Sequence, residues 1–237
     1  MFWTRVWGRR PSELTVIVED PVERGLMRSI DETSGASISP GAVDARGSHT
    51  LVLRPALGRD HLRLDRVRRS NSDWLGEWEA TLPPGSDEIL PSLTEYVRKI
   101  DRDQRAGRAL VMCAEVDGRP VGQFSLSSVH RGALSQGSLG YWVSRDVAHM
   151  GVGSLCAALM IDLVIGELGL HRVEVNVRPE NERSLGLCRK LGLREEGYKV
   201  RYMAINHRWA DHVAFAIDAE SLPEGGLVAS IWGESLL

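Results

Sequence analysis

Two glycines, Gly151 and Gly153, stand between the run GYWV and the long apolar stretch SLCAALMIDLVIG. Glycine lets the main chain approach a ligand closely. The first-turn N–H groups of a helix have no intrahelical acceptor and carry the positive end of its dipole. A strand, a short loop and a helix opening on Gly151 and Gly153 would therefore seat a pyrophosphate. The same spacing also suits a plain tight turn ahead of a core helix. No Gly-Lys-Ser/Thr follows, so the segment is not a Walker loop. Cys156 stands where the dinucleotide fingerprint has its third glycine.

A second segment, HRVEVNVRPENERSLGLCRKLGLREEGY, reads as strand, helix and cap. Arg172, Glu174 and Asn176 share one face of the strand; Val173, Val175 and Val177 share the other. Asn181, three residues before Ser184, has the position of a helix N-cap, worth about 1 kcal/mol. Gly192 ends the helix. Cys188 has no adjacent histidine and reads as a small buried residue rather than a nucleophile. His207 and His212 flank Asp211 without a ligand cluster at metal spacing, so no metal is expected. No G-x-S-x-G elbow is present.

The elements that must hold these segments form a mixed α/β pattern. LVLRP is a strand. Leu64, Val67, Asn71, Trp74, Leu75 and Trp78 recur at helical spacing, and a second helix is expected from about Glu88, with Ile89, Leu93, Val97 and Ile100 on its stripe. ALVMCAEV and RPVGQFSLSSV flank Asp117-Gly118, a hairpin turn. GSLGYWV is a strand, residues 154–167 a helix, HRVEVNV a strand and residues 182–191 a helix. Residues 202–218 read as two closing strands. Residues 1–48 show no clear period and include TSGASISPGA, so they are expected to be a mobile or loosely packed extension. Residues 49–220 are the domain and residues 221–237 a tail.

With 237 residues, 43% of them hydrophobic and 26% charged, the chain can bury a sizeable core. A net charge of -3 argues against a nucleic-acid binder. Cys113, Cys156 and Cys188 are scattered, which fits a reducing, cytoplasmic setting. MFWTRVWGRR interrupts its apolar residues with arginines and offers no signal-peptide core. Residues 150–166 carry Asp162 and are too short for a membrane span, so they read as a buried helix. The arginines at 59, 63, 66, 68 and 69 read as a solvated helix face.

Taken together, LVLRP, NSDWLGEWEATLPP, GYWV with its glycine turn, HRVEVNVRPEN, the run from Asn181 to Gly197 and RWADHVAFAI resemble the GNAT superfamily, in particular the RimJ/RimL-like protein N-terminal acetyltransferases. The likeness covers about residues 50 to 220. It implies a strongly twisted mixed sheet flanked by helices, with acetyl-CoA wedged between two splayed parallel strands. It implies that Trp142, Val143 and Ser144 lie along the pantetheine arm. The pyrophosphate would meet the N–H groups of Met150, Gly151, Val152, Gly153 and Ser154, with Asn181 and Ser184 near the CoA arm or the thioester. Trp74, Trp78 and Glu79 would stand at the acceptor mouth, with Glu79 holding the substrate ammonium. The cosubstrate is acetyl-CoA, with no metal. The acceptor is a protein or peptide N-terminus, such as that of a ribosomal protein, with neither membrane nor nucleic acid involved. The oligomeric state would be monomer or homodimer.

The sequence departs from the family pattern in three places. Ala148 replaces the usual Arg or Gln of the phosphate loop, with His149 and Met150 following it, so a favourable charge is missing there. Cys188 aligns with the usual tyrosine acid. Ser138 aligns with the usual acidic base. Cys188 or water would then protonate the leaving thiolate, and a water chain to Glu174, Glu79 or His171 would take the amine proton. That suits an α-amine, whose pKa of about 8 makes deprotonation at neutral pH cost about 1 kcal/mol, against roughly 4–5 for a lysine. Two other readings remain: acetylation of a small amine (an aminoglycoside, polyamine or amino acid), and a non-catalytic acyl-CoA-binding module.

Overall fold

The computed structural model describes residues 5–28, 49–234 and 236–237. Its strands and helices run, in chain order, β1 (Val16–Glu19), β2 (Thr50–Pro55), α1 (Asp60–Ser70), α2 (Ser72–Leu75), α3 (Leu93–Arg105), β3 (Leu110–Val116), β4 (Arg119–His130), β5 (Gln136–Val143), α4 (Val152–Asp162), β6 (Arg172–Val177), α5 (Glu182–Lys190), β7 (Arg194–Ile205), β8 (Arg208–Asp218) and α6 (Gly226–Trp232). The strands form one sheet in the order β1-β2-β3-β4-β5-β6-β8-β7. Every neighbouring pair is antiparallel except β5 and β6.

Local chemistry explains most boundaries. Asp117 and Gly118 both take positive φ and close the β3–β4 hairpin. Helix α3 starts at Leu93 rather than near Glu88, because Ser92 and Glu95 form a capping box in which each side chain accepts from the other's backbone N–H. That leaves Ile89 and Leu90 exposed ahead of the helix. The helix expected across residues 60–78 breaks at Asn71, whose Oδ1 accepts from Arg145 N at 2.9 Å and so ties the break to the loop after β5. Helix α4 is buried nearly all round and widens into a π-turn over Leu163–Glu167.

Two expectations about the chain ends need correction. Residues 5–28 do not pack loosely. Strand β1 pairs with β2, Val18 opposite Leu51, and Leu14, Val16, Val18, Leu26 and Met27 are buried in the main core. The four-residue alternation VIVE is too short to stand out in the sequence, yet it covers the open edge of β2. The rest of the supposed extension, residues 29–48, lies outside the described residues. The end of the chain is no free tail either. Leu227 and Val228 of α6 are buried in the same core, against α4. The Asp162 carboxylate accepts from Leu227 N at 2.7 Å and Val228 N at 3.0 Å, which explains a charge within an apolar helix: it caps α6.

The main core lies under α4, α5 and α6 on one face of the sheet. A smaller cluster of Ala56, Leu64, Val111 and Cys113, joined by Ile100 and Trp142, lies on the other face near α1 and α3.

Candidate active site

The one parallel pair makes the site. Strands β5 and β6 pair only at Gln136–Arg172, Gly137–Val173 and Ser138–Glu174. Beyond that, residues 139–143 stay with β4 and residues 175–177 stay with β8, so the two strands part. Two clefts meet in the resulting V. A cleft of about 540 Å³ runs between β5, the α4 turn and α5. A smaller one of about 270 Å³ opens over β6, β8 and the end of β7. Trp78, Tyr141, Asn181 and Ser184 line both, so they stand where the clefts join.

In the larger cleft the turn is built as its glycines require. Gly151 has φ 93° and precedes the first turn of α4. A β-carbon on Gly151 would lie 3.4 Å from the Leu26 carbonyl oxygen and 3.6 Å from Met27 Cα. Arg28 N donates to Met150 O at 2.7 Å. The N-terminal segment thus braces the turn from behind. Gly153 differs: its β-carbon would face Leu187 and Val143 across the cleft at 3.6 and 3.9 Å.

The charge missing from the turn comes from elsewhere. Arg28, Arg183 and Lys190 line this cleft. Arg28 and Lys190 have no carboxylate partner among the described residues, and burial together with the Arg28 charge pulls the Lys190 ammonium below its ordinary value. Two like charges left facing each other at the mouth of a cleft fit a phosphate-bearing ligand. Arg183 lies over the Trp74 ring at 4.2 Å, and the Trp74 indole donates to Val143 O at 3.1 Å.

The cleft gathers Trp74, Trp78, Trp142, Val143, Gly151, Gly153, Ser154, Asn181 and Ser184 from the residues expected at the site. Asn181 caps α5 by accepting from Ser184 N at 3.1 Å. Ser144, Met150 and Val152 point elsewhere. Ser144 Oγ donates to Asn71 Oδ1, and the other two side chains lie in the core, leaving only their main chain for a ligand.

The acidic candidates lie outside both clefts. Glu79 pairs with Arg68 at 3.1 Å. Glu174 pairs with Arg172 at 3.0 Å and with Lys199 at 3.5 Å. His171 pairs with Glu220 at the far end of β6. Cys188 is fully buried, and burial pushes its thiol up to about 12, so it stays protonated across the physiological range.

Three residues at or beside the junction were not assigned to the site from the sequence. Tyr141 stacks on Phe124, ring centroids 5.8 Å apart, and its buried hydroxyl sits beside Ser184 and Cys188 without a well-formed hydrogen bond. Burial drives its pKa upward, so it remains a proton donor. A tyrosine from β5 thus reaches the neighbourhood of Cys188. Asn176 presents both amide atoms buried and unpaired in the smaller cleft, and His212 lines the same cleft. Alternation on β6 placed Asn176 on the polar face, but only the pairing of β6 with β8 puts His212 there too.

A mixed sheet split between parallel strands, with a helix N-terminus and cations at one mouth, defines a transferase for an acyl-coenzyme A. The acetyltransferase (GNAT) domain model matches residues 50–194, more than half of the chain. The chain belongs to this family and is an N-acetyltransferase that uses acetyl-CoA. It is similar to Mycobacterium smegmatis RimJ in complex with CoA-disulfide, 34% identical with a TM-score of 0.67 over 73% of this chain and 84% of that one. It is 27% identical to the [ribosomal protein uS5]-alanine N-acetyltransferase of Escherichia coli, over 70% of this chain and 87% of the relative. It is also 27% identical to the spermidine N(1)-acetyltransferase of Escherichia coli, over 72% of this chain and 87% of the relative. No helix among the described residues is long and apolar enough to cross a membrane.

Proposed function

We propose that the chain acetylates the α-amine of protein N-termini. The observation that carries this reading is the lining of the smaller cleft. Among the described residues it includes Ser127, Ser138, Asn176, Arg178 and His212 but no carboxylate. A polyamine carries several positive charges and needs acidic partners to offset their desolvation. An N-terminal peptide brings one amine followed by amide groups, which neutral donors and acceptors satisfy. The relative named for a ribosomal protein's alanine and the similarity to RimJ support the same choice over the spermidine relative.

Acetyl-CoA, when bound, supplies an activated acetyl group open to attack by a neutral amine. The chain's own residues do the rest. The first-turn N–H groups of α4, with Arg28 and Lys190, hold the phosphates. The free edge of β5 at Trp142 and Val143 orients the arm, and Asn181 and Ser184 stand where arm and amine meet. The Tyr141 hydroxyl, which stands where the two clefts join, gives a proton to the departing sulfur and regains it from solvent. Held geometry supplies much of the rate. The setting for this work is the cytoplasm, where nascent and ribosomal proteins present free N-termini.

The test is thiol release from acetyl-CoA across N-terminal hexapeptides, lysine-containing peptides with blocked N-termini, spermidine and aminoglycosides. The reading requires peptides with free small N-terminal residues to be preferred by at least tenfold in kcat/KM. A preference for spermidine would overturn it.

A further inference from the structure

We propose that His212 is the general base that takes the proton from the acceptor amine, beside an amide anchor made by Asn176. This rests on the reading of the smaller cleft as the acceptor site. His212 is only 3% exposed, and the cleft is where it shows. Its Nδ1 lies 3.1 Å from the Ala210 carbonyl. A carbonyl can only accept, so Nδ1 carries the hydrogen and Nε2 keeps its lone pair. Nε2 makes no hydrogen bond to the described residues. The edge contact with the Tyr202 ring, centroids 5.4 Å apart, fixes the plane of the imidazole.

The neighbourhood keeps this ring neutral. Burial lowers its pKa, and the Arg178 guanidinium lowers it further. The Ala210 carbonyl, Asp211 and Glu180 act in the opposite sense without reversing it. Lys199, directly across on β7, turns to Tyr202 and Glu174. A neutral, tautomer-locked imidazole is ready to accept a proton at pH 7.

Asn176 supplies the second observation. It lies on the same sheet face as His212, since it pairs with Ala214, two residues along β8. Its Oδ1 and Nδ2 are both buried and unpaired by protein groups, an arrangement that folded proteins keep for a ligand or an ordered water. An amide group that donates and accepts at once matches the first peptide unit behind an N-terminal amine.

The step balances. The amine nitrogen forms a bond to the acetyl carbon as the C–S bond breaks and its electron pair leaves on sulfur. The amine proton passes to His212 Nε2, the sulfur is protonated from Tyr141, and both groups return to their starting states through solvent. The gap that this proton transfer crosses is wider than for an ordinary imidazole, because burial lowers His212, but it is smaller for an α-ammonium than for a lysine.

The test uses the full chain and His212→Ala. At pH 7 the variant should lose about 100-fold in kcat/KM for the acceptor. Acetyl-CoA binding, read from the tryptophan fluorescence of the cleft, should change less than twofold. Wild-type kcat/KM should hold down to below the ordinary histidine range. In the variant the acid limb should move up to the acceptor's own amine pKa, so most of the loss is regained at pH 9 with an α-amine, and added imidazole should restore part of it at pH 7. An equal loss at every pH, or an unmoved profile, would overturn the proposal. His212→Gln, which can still donate to Ala210, takes over should the alanine variant lose acetyl-CoA binding. Nitrogen chemical shifts provide a readout without turnover: at pH 6.5 His212 should be neutral and protonated on Nδ1, and the opposite tautomer would end the idea. If the preferred amine proves to be spermidine, the acceptor reading fails, while the shift of the limb to that amine's pKa still decides the role of His212.

Discussion

The two clefts are made of different material. The larger one brings main chain to its ligand side, at the edge of β5 that β6 leaves, the left-handed Gly151 and the opening turn of α4, beside side chains such as Trp74, Trp142 and Leu187 and the cations at its mouth. The smaller one is walled by side chains drawn from β4, β5, β6, β7 and β8. Main-chain donors sit in the same place whatever the neighbouring side chains are, so such a site can hold one cosubstrate across many sequences. A site made of Ser138, Asn176, Met203 and His212 changes with every substitution. With the smaller cleft as the proposed amine site, this division would let a single fold keep acetyl-CoA while changing its amine.

The sharpest way to break that contrast is at Gly153. Its missing side chain faces Val143 and Leu187 across the larger cleft. Gly153→Val should raise KM for acetyl-CoA at least tenfold, about 1.4 kcal/mol, and leave KM for the acceptor within twofold. Steady-state kinetics with each substrate varied would decide it, and equal effects on both would dissolve the distinction. Gly151→Val should behave otherwise. At φ 93° and against Leu26, the new side chain strains the fold itself, so melting temperature should fall along with affinity.

A smaller effect is expected at Arg28. Arg28→Ala should weaken CoA binding threefold to tenfold, read by titration, and should flatten its salt dependence. Loss of the 3′-phosphate from the ligand should cost the variant less than it costs the wild type if Arg28 meets that group. An unchanged titration would leave the cations at the mouth without a role.

The least effect belongs to Glu79. Glu79→Gln removes only an exposed pairing with Arg68, so both KM values should stay within twofold. A large rise in acceptor KM would restore Glu79 to the acceptor mouth.

The sequence revealed the main-chain cleft because its causes are local. Gly151, Gly153 and Asn181 act within a few residues of where they stand, and GYWV and HRVEVNV carry their own alternation. The smaller cleft depends on contacts between distant segments. His212 sits in RWADHVAFAI with nothing nearby to mark it; it gains a role only when β8 pairs with β6. Tyr141 reads as one more aromatic in a strand until α5 brings Cys188 and Ser184 to its hydroxyl. Glu79 and Glu174 have the right chemistry, but Arg68, Arg172 and Lys199 hold them; strand alternation put Arg172 beside Glu174, while the Arg68 and Lys199 pairings join separate segments. The start of β7, REEGY, is polar and exposed, so it carries no apolar rhythm. Strand β1 was hidden by its brevity.

The brace behind Gly151 carries one more consequence. Leu26 and Met27 press on the turn that seats the cosubstrate, while β1, a few residues earlier, forms the first strand of the sheet. Binding energies are reciprocal: whatever a ligand gains from an ordered turn, it returns as protection to the segment that orders it. The N-terminal segment and the proposed cofactor turn are therefore expected to be coupled. Acetyl-CoA should then slow proteolysis within residues 16–28, and limited proteolysis with and without the ligand reads that protection.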